Sequence, residues 1–210
     1  MSFKNRAENQ LLIGIGVCKM KTIIVGITGA SGSIYGLRLL EELAKKGLKI
    51  HVVASKTAEK VISYETGHIL TDFINDLNGK GAHLILEDVD DFFAPIASGS
   101  YPTDGMIIAP CSMGSLAQVA NGISSNLLVR SADVCLKERK PLVILARETP
   151  LNSINLENML KLTHAGAMIF PACPGFYSKP ETLDDVIDFM VGKILDALDI
   201  EHELFEKWGG

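Results

Sequence analysis

Short apolar runs alternate with amphipathic segments along most of this chain of 210 residues. The run Thr22–Val25 is followed by leucines at helical spacing over residues 35–46, and a second apolar run covers residues 49–54. Strands that read as continuous apolar runs and alternate with helices are typical of a parallel sheet covered on both faces. The pattern therefore predicts a three-layer, doubly wound α/β fold with a mostly parallel sheet.

The alternation continues through the rest of the chain. Strands are predicted at residues 22–25, 49–54, 83–87, 105–109, 141–146 and 167–170. Helices are predicted at residues 35–46, 57–65, 115–121, 127–137, 156–162 and 183–198. Because the length suits one domain and no repeat or linker interrupts the pattern, we expect a single domain over residues 21–210. Residues 1–20 are expected to be an extension outside its core, since their apolar stretch is short for a signal peptide.

Composition excludes several classes of function. The formal net charge of −5 and the lack of a long Lys/Arg run argue against nucleic-acid binding. No stretch reaches the roughly 20 apolar residues of a membrane span. The four cysteines form no C-x-x-C pair and no H-E-x-x-H motif occurs, so no metal site is predicted. Scattered, reduced thiols and a weak targeting signal predict a cytoplasmic protein.

A glycine-rich turn with the sequence GITGASG, residues 26–32, follows the first predicted strand. A turn of this kind before a helix exposes backbone N–H groups and the positive end of the helix dipole, which favour a bound phosphate. Its spacing differs from the G-x-G-x-x-G of dinucleotide-binding proteins and from the G-x-x-x-x-G-K-[ST] of nucleotide triphosphatases. Either the turn holds another phosphorylated ligand, or it is a tight connection without a ligand.

The carboxyl ends of the predicted strands carry small hydroxyl residues, prolines and an Arg-Glu pair. These ends are residues 28–32, 55–56, 109–114, 147–150 and 171–177. In doubly wound sheets, ligands bind outside the carboxyl ends of the strands. The sequence therefore predicts that these segments surround a ligand.

Three reactive side chains lie at or near the predicted rim. Glu148 is either a functional carboxylate or the ion-pair partner of Arg147. Glu65 ends a helix, where the dipole disfavours a carboxylate, and this favours a functional role. Cys111 follows a strand, but no histidine is positioned by the sequence to activate it, so packing or ligand lining is expected.

Together these segments resemble the UbiX flavin prenyltransferases. The resemblance is carried by ASK at residues 54–56, SGS at 98–100, PCSMG at 110–114, RSADV at 130–134, LKER at 136–139, RETP at 147–150, PGFY at 174–177 and KWG at 207–209, besides the glycine turn. It implies a flavodoxin-like or Rossmann-like fold that binds FMN. It also implies transfer of the dimethylallyl group of dimethylallyl phosphate to N5 and C6 of reduced FMN, without a metal.

The resemblance also implies roles for individual residues. FMN contacts are expected for Gly29, Ala30, Ser31, Ser55, Ser112, Met113, Gly114, Ser115 and Arg130. The residues expected around the prenyl phosphate are Lys137, Arg147, Tyr177 and Lys193. The residues expected to act in catalysis are Glu65 and Glu148, by moving protons, and Trp208, by offering a π face to the cationic prenyl fragment. Relatives form homo-oligomers, typically dodecamers with sites at subunit junctions, and a UbiD-type decarboxylase receives the prenylated FMN.

One departure and two alternatives qualify this interpretation. Lys193 stands where many relatives carry Arg, so a bidentate phosphate clamp becomes a point charge. FMN-dependent decarboxylases of the cysteine-decarboxylase group share the fold, but they are expected to carry a P-x-M-N segment and a catalytic histidine. Here Pro150-Leu151-Asn152 and Glu65 stand in the corresponding regions. A flavin-binding electron carrier would leave Glu65, Glu148 and Tyr177 without a role.

Overall fold

The computed structural model describes residues 22–206, which form a six-stranded sheet with helices on both faces. The strands are β1 (Thr22–Ile27), β2 (Lys49–Ala54), β3 (His83–Glu87), β4 (Gly105–Cys111), β5 (Leu142–Ala146) and β6 (Met168–Pro171). Their order is β3-β2-β1-β4-β5-β6, and every pairing is parallel. This is the strand order of the Rossmann fold, whereas a flavodoxin-like sheet has the order 2-1-3-4-5. The doubly wound α/β fold is confirmed, and its Rossmann form is the one observed.

Seven α-helices lie within residues 22–206. They are α1 (Ser33–Ala44), α2 (Lys56–Thr66), α3 (Leu70–Gly79), α4 (Met113–Ala120), α5 (Leu127–Lys137), α6 (Ser153–His164) and α7 (Leu183–Asp196), with a 3₁₀ turn at Pro95–Ala97. Helix α3 was not predicted, because it starts without a side-chain cap and buries only Leu70 and Ile74. In contrast, α4 and α6 begin earlier than predicted because Ser112 and Asn152 cap them. The predicted N-terminal extension, residues 1–20, lies outside the described residues.

Alternate residues of each strand enter two apolar layers. In β1, Ile23 and Val25 pack into the layer formed with α1 and α7, whereas Ile24 packs into the layer formed with α4 and α5. Helix α1 lies unusually close to β4, because a Cβ at Gly36 would be 2.6 Å from the carbonyl oxygen of Ala109. A glycine is therefore needed at position 36, and it places the start of α1 beside the end of β4.

A buried polar chain anchors the segment between β3 and β4 to the sheet. The Lys49 ammonium donates to the Tyr101 hydroxyl oxygen at 2.7 Å, so the hydroxyl proton is free to donate to Nε2 of His51 at 2.9 Å. Nδ1 of His51 then carries the proton and donates to Glu87 at 2.5 Å. Desolvation lowers the pKa of His51 despite the hydrogen bond to Glu87, consistent with this neutral imidazole. These hydrogen bonds provide a partner for both ring nitrogens of His51, which is only 1% exposed.

Within residues 22–206, no helix is both long and apolar enough to cross a bilayer. The same residues contain no group of three or more His, Cys, Asp or Glu side chains that could hold a metal ion.

Candidate functional site

From β1 the chain adds β2 and β3 on one side of the sheet, and it then adds β4, β5 and β6 on the other side. The connections after β1 and β4 therefore leave in opposite directions, which opens a crevice at the carboxyl ends of these two strands. Thr28, which directly follows β1, joins them. Its hydroxyl donates to the Pro110 carbonyl at 2.9 Å and accepts from the Ser112 amide at 2.7 Å. Ligands of doubly wound sheets bind at such a reversal. The glycine turn and the PCSMG segment are therefore held side by side where a ligand is expected.

We expect Thr28→Val to destabilise the protein by about 1–3 kcal/mol, because the Ser112 amide loses its acceptor in a partly buried position. The shape of the side chain is nearly kept, so the change reports mainly on the hydroxyl group. The free energy of unfolding, measured by urea denaturation, checks this. Thr28→Ser keeps the hydroxyl and is expected to lose less stability than the valine variant. Equal stability of the valine variant and the wild type would contradict the role of the bridge.

The glycine turn packs tightly against the start of α2. A Cβ at Gly29 would lie 2.4 Å from Cγ2 of Thr57, and Gly32 has a φ of 90°, in the left-handed region. Two amides at the start of α1 already have an acceptor: the Glu65 carboxylate accepts from the backbone of Gly32 at 3.0 Å and of Ser33 at 2.9 Å. The Ser33 hydroxyl donates to the same oxygen at 2.7 Å. The Gly32 and Ser33 amides belong to the turn that the sequence predicts to bind a phosphate, but here they donate to the Glu65 carboxylate.

The same contacts decide the charge of Glu65. Partial desolvation opposes its ionisation, but hydrogen bonds from the Ser31 and Ser33 side chains and from the Ser33 and Gly32 backbone outweigh it. The pKa of the Glu65 carboxyl is therefore below its ordinary value of 4.5. Glu65 is an ionised cap of α1. Its part in proton movement stays a prediction.

Glu65→Gln is expected to lower the free energy of unfolding by about 1 kcal/mol near neutral pH, the usual effect of losing a charged cap. A lowered folded-state pKa adds stability above the unfolded pKa, and this stability is lost as the pH falls through the folded pKa. The difference between variant and wild type should therefore shrink below about pH 4. Urea denaturation at several pH values measures it. Glu157→Gln, at an exposed position of α6, is the control, and a pH-independent difference for Glu65→Gln would contradict the assignment.

The other predicted FMN residues lie at the same crevice. Ser55 follows β2, donates its amide to the Ile27 carbonyl at 3.0 Å and caps α2 by accepting from Ala58. Ser112 caps α4 by accepting from the Ser115 amide, and the two serine hydroxyls are 3.2 Å apart. The structure thus brings residues 29–31, Ser55 and residues 112–115 to one edge, beside the N-termini of two helices. This combination of hydroxyl groups and positive helix ends suits an anionic, phosphate-bearing ligand.

Arg147 and Glu148 line a cavity of about 280 Å³ together with Cys173 and with Met159 of α6. Nε of Arg147 is buried and has no hydrogen-bond partner among the described residues. Glu148 is exposed and accepts from the Thr149 amide at 3.0 Å, and no ion pair joins it to Arg147. A buried donor without an acceptor is costly. The Arg147–Glu148 ion pair that the sequence left open is not observed, and the buried Nε donor of Arg147 is available to a ligand.

Lys137 and Arg130 are not brought to this cavity. Lys137 ends α5, beside Gly99 and paired with Glu138, at the amino edge of the sheet. The five residues of β5 separate that edge from Arg147 by roughly 16 Å. Arg130 donates to the Ala97 carbonyl at 3.2 Å and pairs with Asp133 at 2.9 Å. Within one chain Lys137 therefore lies at the opposite edge of the sheet from Arg147, and Arg130 is bound by Asp133 and by the 3₁₀ turn.

Tyr177 and Lys193 form a third group, in which Lys193 lies on α7 and Tyr177 in the loop that precedes this helix. Phe189 and Lys193 are four residues apart on this helix and share a face, and the Tyr177 ring lies 5.5 Å from the Phe189 ring. Trp208 lies outside the described residues. The predicted site residues are therefore distributed over three surfaces of one chain: the crevice, α5 and α7.

Comparison with known proteins decides the family. The family described as Flavoprotein matches residues 17–195. Flavin prenyltransferase UbiX of Halalkalibacterium halodurans is 56% identical over 190 residues, covering 88% of this chain and 92% of that protein. The chain belongs to the UbiX flavin prenyltransferase family. The resemblance stated from the sequence is thereby confirmed.

Solved UbiX structures share the fold along nearly the whole chain. AnUbiX (PadA1), in complex with FMN and dimethylallyl pyrophosphate, is 43% identical with a TM-score of 0.86 and covers 91% of this chain and 99% of its own. A dodecameric FMN-dependent UbiX-like decarboxylase of Escherichia coli O157:H7 is 41% identical with a TM-score of 0.83, covering 90% and 99%. The Rossmann-like arrangement is therefore that of the UbiX family.

The roles of two crevice residues in this UbiX family member were not predicted from the sequence, although Thr28 lies in a segment that was predicted to surround a ligand. Thr28 bridges β1 and β4, and Ser33 bonds Glu65, yet both are small polar residues in a turn, where such residues are common. The position of Thr28 directly after a buried strand was the available signal. Cys111 was assessed correctly as a poor nucleophile, because burial raises the pKa of its thiol to about 12.

Proposed function

We propose that this chain transfers the dimethylallyl group of dimethylallyl phosphate to reduced FMN, at N5 and then C6, with release of phosphate. The C–O bond of the prenyl phosphate breaks as the allylic carbon bonds to N5, which loses its proton. The prenyl C=C bond then takes up a proton, its tertiary carbon bonds to C6, and C6 loses its proton, so that the departing phosphate receives the net proton. The prenylated FMN then serves a UbiD-type decarboxylase. Membership of the UbiX family supports the reaction type. The observation that carries the site assignment is the buried, unpartnered Nε of Arg147 beside Glu148.

The crevice fits FMN. Gly29 presents backbone without a side chain, and Ser55, Ser112 and Ser115 supply hydroxyl groups at helix N-termini. Ser31 and residues 113–114 complete the proposed contacts. When bound in its reduced form, FMN supplies the nucleophilic nitrogen and carbon of the reaction. Met113, half-buried between these groups, offers apolar surface to the ring system.

The cationic residues bind and activate the prenyl phosphate. Loss of phosphate from an allylic carbon needs positive charge at the leaving group and a dry, electron-rich surround for the cationic fragment. We assign the first task to Arg147, with Lys137 and Lys193, and the second to Tyr177 and Trp208. A Lys in place of Arg at position 193 keeps the charge but offers a point contact.

Glu148 is the group proposed to move a proton. Its Oε1 accepts the Thr149 amide, which leaves Oε2 to take up or release a proton at the rim. Glu65 is ionised and accepts from three donors, the Gly32 amide, the Ser33 amide and the Ser33 hydroxyl, so it first orients the glycine turn. Its contribution to proton movement requires these contacts to be exchanged for contacts with the reactants.

The distribution of site residues supports a homo-oligomer. Lys137 lies at the amino edge of the sheet and Arg147 at its carboxyl edge, and β5 spans roughly 16 Å between these edges. Both side chains act on one phosphate only if different copies supply them. The dodecameric E. coli relative provides a precedent for such an assembly. We therefore propose a dodecamer in which each site is shared between subunits. We also propose that the protein is cytoplasmic.

Phosphate release tests the proposal. With reduced FMN under anaerobic conditions, dimethylallyl phosphate should release inorganic phosphate, and oxidised FMN should give none. Parallel reactions with dimethylallyl diphosphate measure which donor is preferred. The alternative, a decarboxylase of the cysteine-decarboxylase group, predicts carbon dioxide from a peptidyl cysteine or phosphopantothenoylcysteine and no phosphate release. That second outcome would overturn the proposal.

A further inference from the structure

The segment that follows α7 folds back onto that helix through His202. The His202 side chain is 1% exposed, and its Nδ1 accepts from the Leu204 amide at 3.2 Å. Because Nδ1 accepts, the proton of the neutral ring is on Nε2. This N–H lies 3.3 Å from Oδ1 of Asp196, as an electrostatic contact rather than an aligned hydrogen bond. His202 thus links the segment, at Leu204, to the last turn of α7, at Asp196.

Gly192 makes this close approach feasible. A Cβ at this position would lie 2.5 Å from Cε1 of Phe205 and 2.7 Å from Cε1 of His202. Real Cβ atoms do not approach other carbons so closely, so any other residue would displace the segment. A glycine in a helix interior is less favourable than alanine. The contact of Gly192 with two rings gives a physical reason for this otherwise unfavourable glycine.

Two routes connect this segment to the proposed prenyl-phosphate residues. The rings of His202 and Phe205 are 5.1 Å apart, those of Phe205 and Phe189 are 5.1 Å apart, and Phe189 packs edge-on against Tyr177 at 5.5 Å. These spacings are typical of favourable aromatic pairs. The second route is ionic, since Oδ2 of Asp196 lies 3.8 Å from the Lys193 ammonium.

We propose that His202 and Phe205, which pack against Gly192, are positioning residues. They hold Tyr177 and Lys193 in the arrangement that binds the prenyl phosphate. The proposal rests on the proposed function of these two residues. Lys193 has a flexible four-carbon stem, so its charge is well placed only where its neighbours restrict it. The Phe205–Phe189 contact restricts the Tyr177 ring in the same way.

Gly192→Ala is the direct test. Alanine favours the helix, so α7 is kept while its Cβ displaces Phe205 and His202. His202→Ala removes the link without adding bulk, and Glu203→Gln, at an exposed position of the same segment, is the control. Three quantities are measured on each full-length protein: hydrogen exchange of the Leu204 amide, the Kd for FMN, and the Kd for dimethylallyl phosphate on the FMN-loaded protein by calorimetry.

For Gly192→Ala and His202→Ala we expect faster exchange at Leu204, an unchanged Kd for FMN, and a Kd for dimethylallyl phosphate raised about tenfold. Glu203→Gln should match the wild type in all three. Faster exchange with an unchanged Kd for dimethylallyl phosphate would overturn the positioning role, and unchanged exchange would overturn the docking itself. If the wild-type protein does not bind dimethylallyl phosphate at all, the proposed function fails together with this role, while exchange at Leu204 still reports on the docking.

Discussion

Glu148→Gln is expected to lower the rate of prenyl transfer by a factor of about 100 to 10,000, the usual effect of removing a general acid or base. The glutamine keeps the size of the side chain and an oxygen that can accept the Thr149 amide, so the loop before the cis peptide bond Thr149–Pro150 should keep its shape. The variant loses only the ability to exchange a proton near neutral pH. Single-turnover kinetics with saturating dimethylallyl phosphate measure the effect.

Two further measurements make this result specific. FMN affinity, followed by quenching of flavin fluorescence, should stay within about twofold of the wild type, because proton exchange is not part of binding. Glu148→Asp retains the carboxylate at a shorter reach and should keep more activity than the glutamine variant. A rate for Glu148→Gln within about threefold of the wild type would remove this residue from the mechanism.

Arg147→Ala is expected to weaken binding of dimethylallyl phosphate by about 30-fold to several thousand-fold, the effect of removing a buried charged partner worth about 2–5 kcal/mol. Without ligand, however, the variant should be no less stable than the wild type. The reason is that Nε of Arg147 is buried without a partner among the described residues, so its removal relieves a desolvation cost. Calorimetric titration and thermal unfolding measure the two effects.

Arg147→Lys separates charge from geometry. A lysine restores the positive charge but not the planar donor array, so recovery of affinity should be partial. Full recovery would show that charge alone matters at this position. A large loss of stability in ligand-free Arg147→Ala would contradict the view that this arginine is held ready for a ligand.

The sheet could be predicted from the sequence because its signals are local. β2 and β3 have the bounds that the apolar runs predict, and α5 has the predicted bounds of residues 127–137. Helix α3 was missed because its buried face has only two residues. The choice between Rossmann and flavodoxin order depends on where β4 pairs, which no local pattern records.

The crevice was predictable in outline, since strand ends of a parallel sheet share one edge. Its details depend on contacts distant in sequence: Glu65 reaches Ser33 from 32 residues away, and Thr28 reaches Pro110 from 82 residues away. The separation of Lys137 from Arg147 likewise follows from the direction of α5. Roles carried over by resemblance place residues in one site, but the structure of one chain distributes them over three surfaces.

The mass of the flavin tests the central claim most directly. Protein incubated anaerobically with reduced FMN and dimethylallyl phosphate, then denatured, should release a flavin heavier than FMN by one five-carbon prenyl unit. Omitting either substrate, or supplying oxidised FMN, should leave only FMN. Recovery of unmodified FMN from the complete reaction, with protein shown to bind both substrates, would contradict the assignment of this chain as a flavin prenyltransferase.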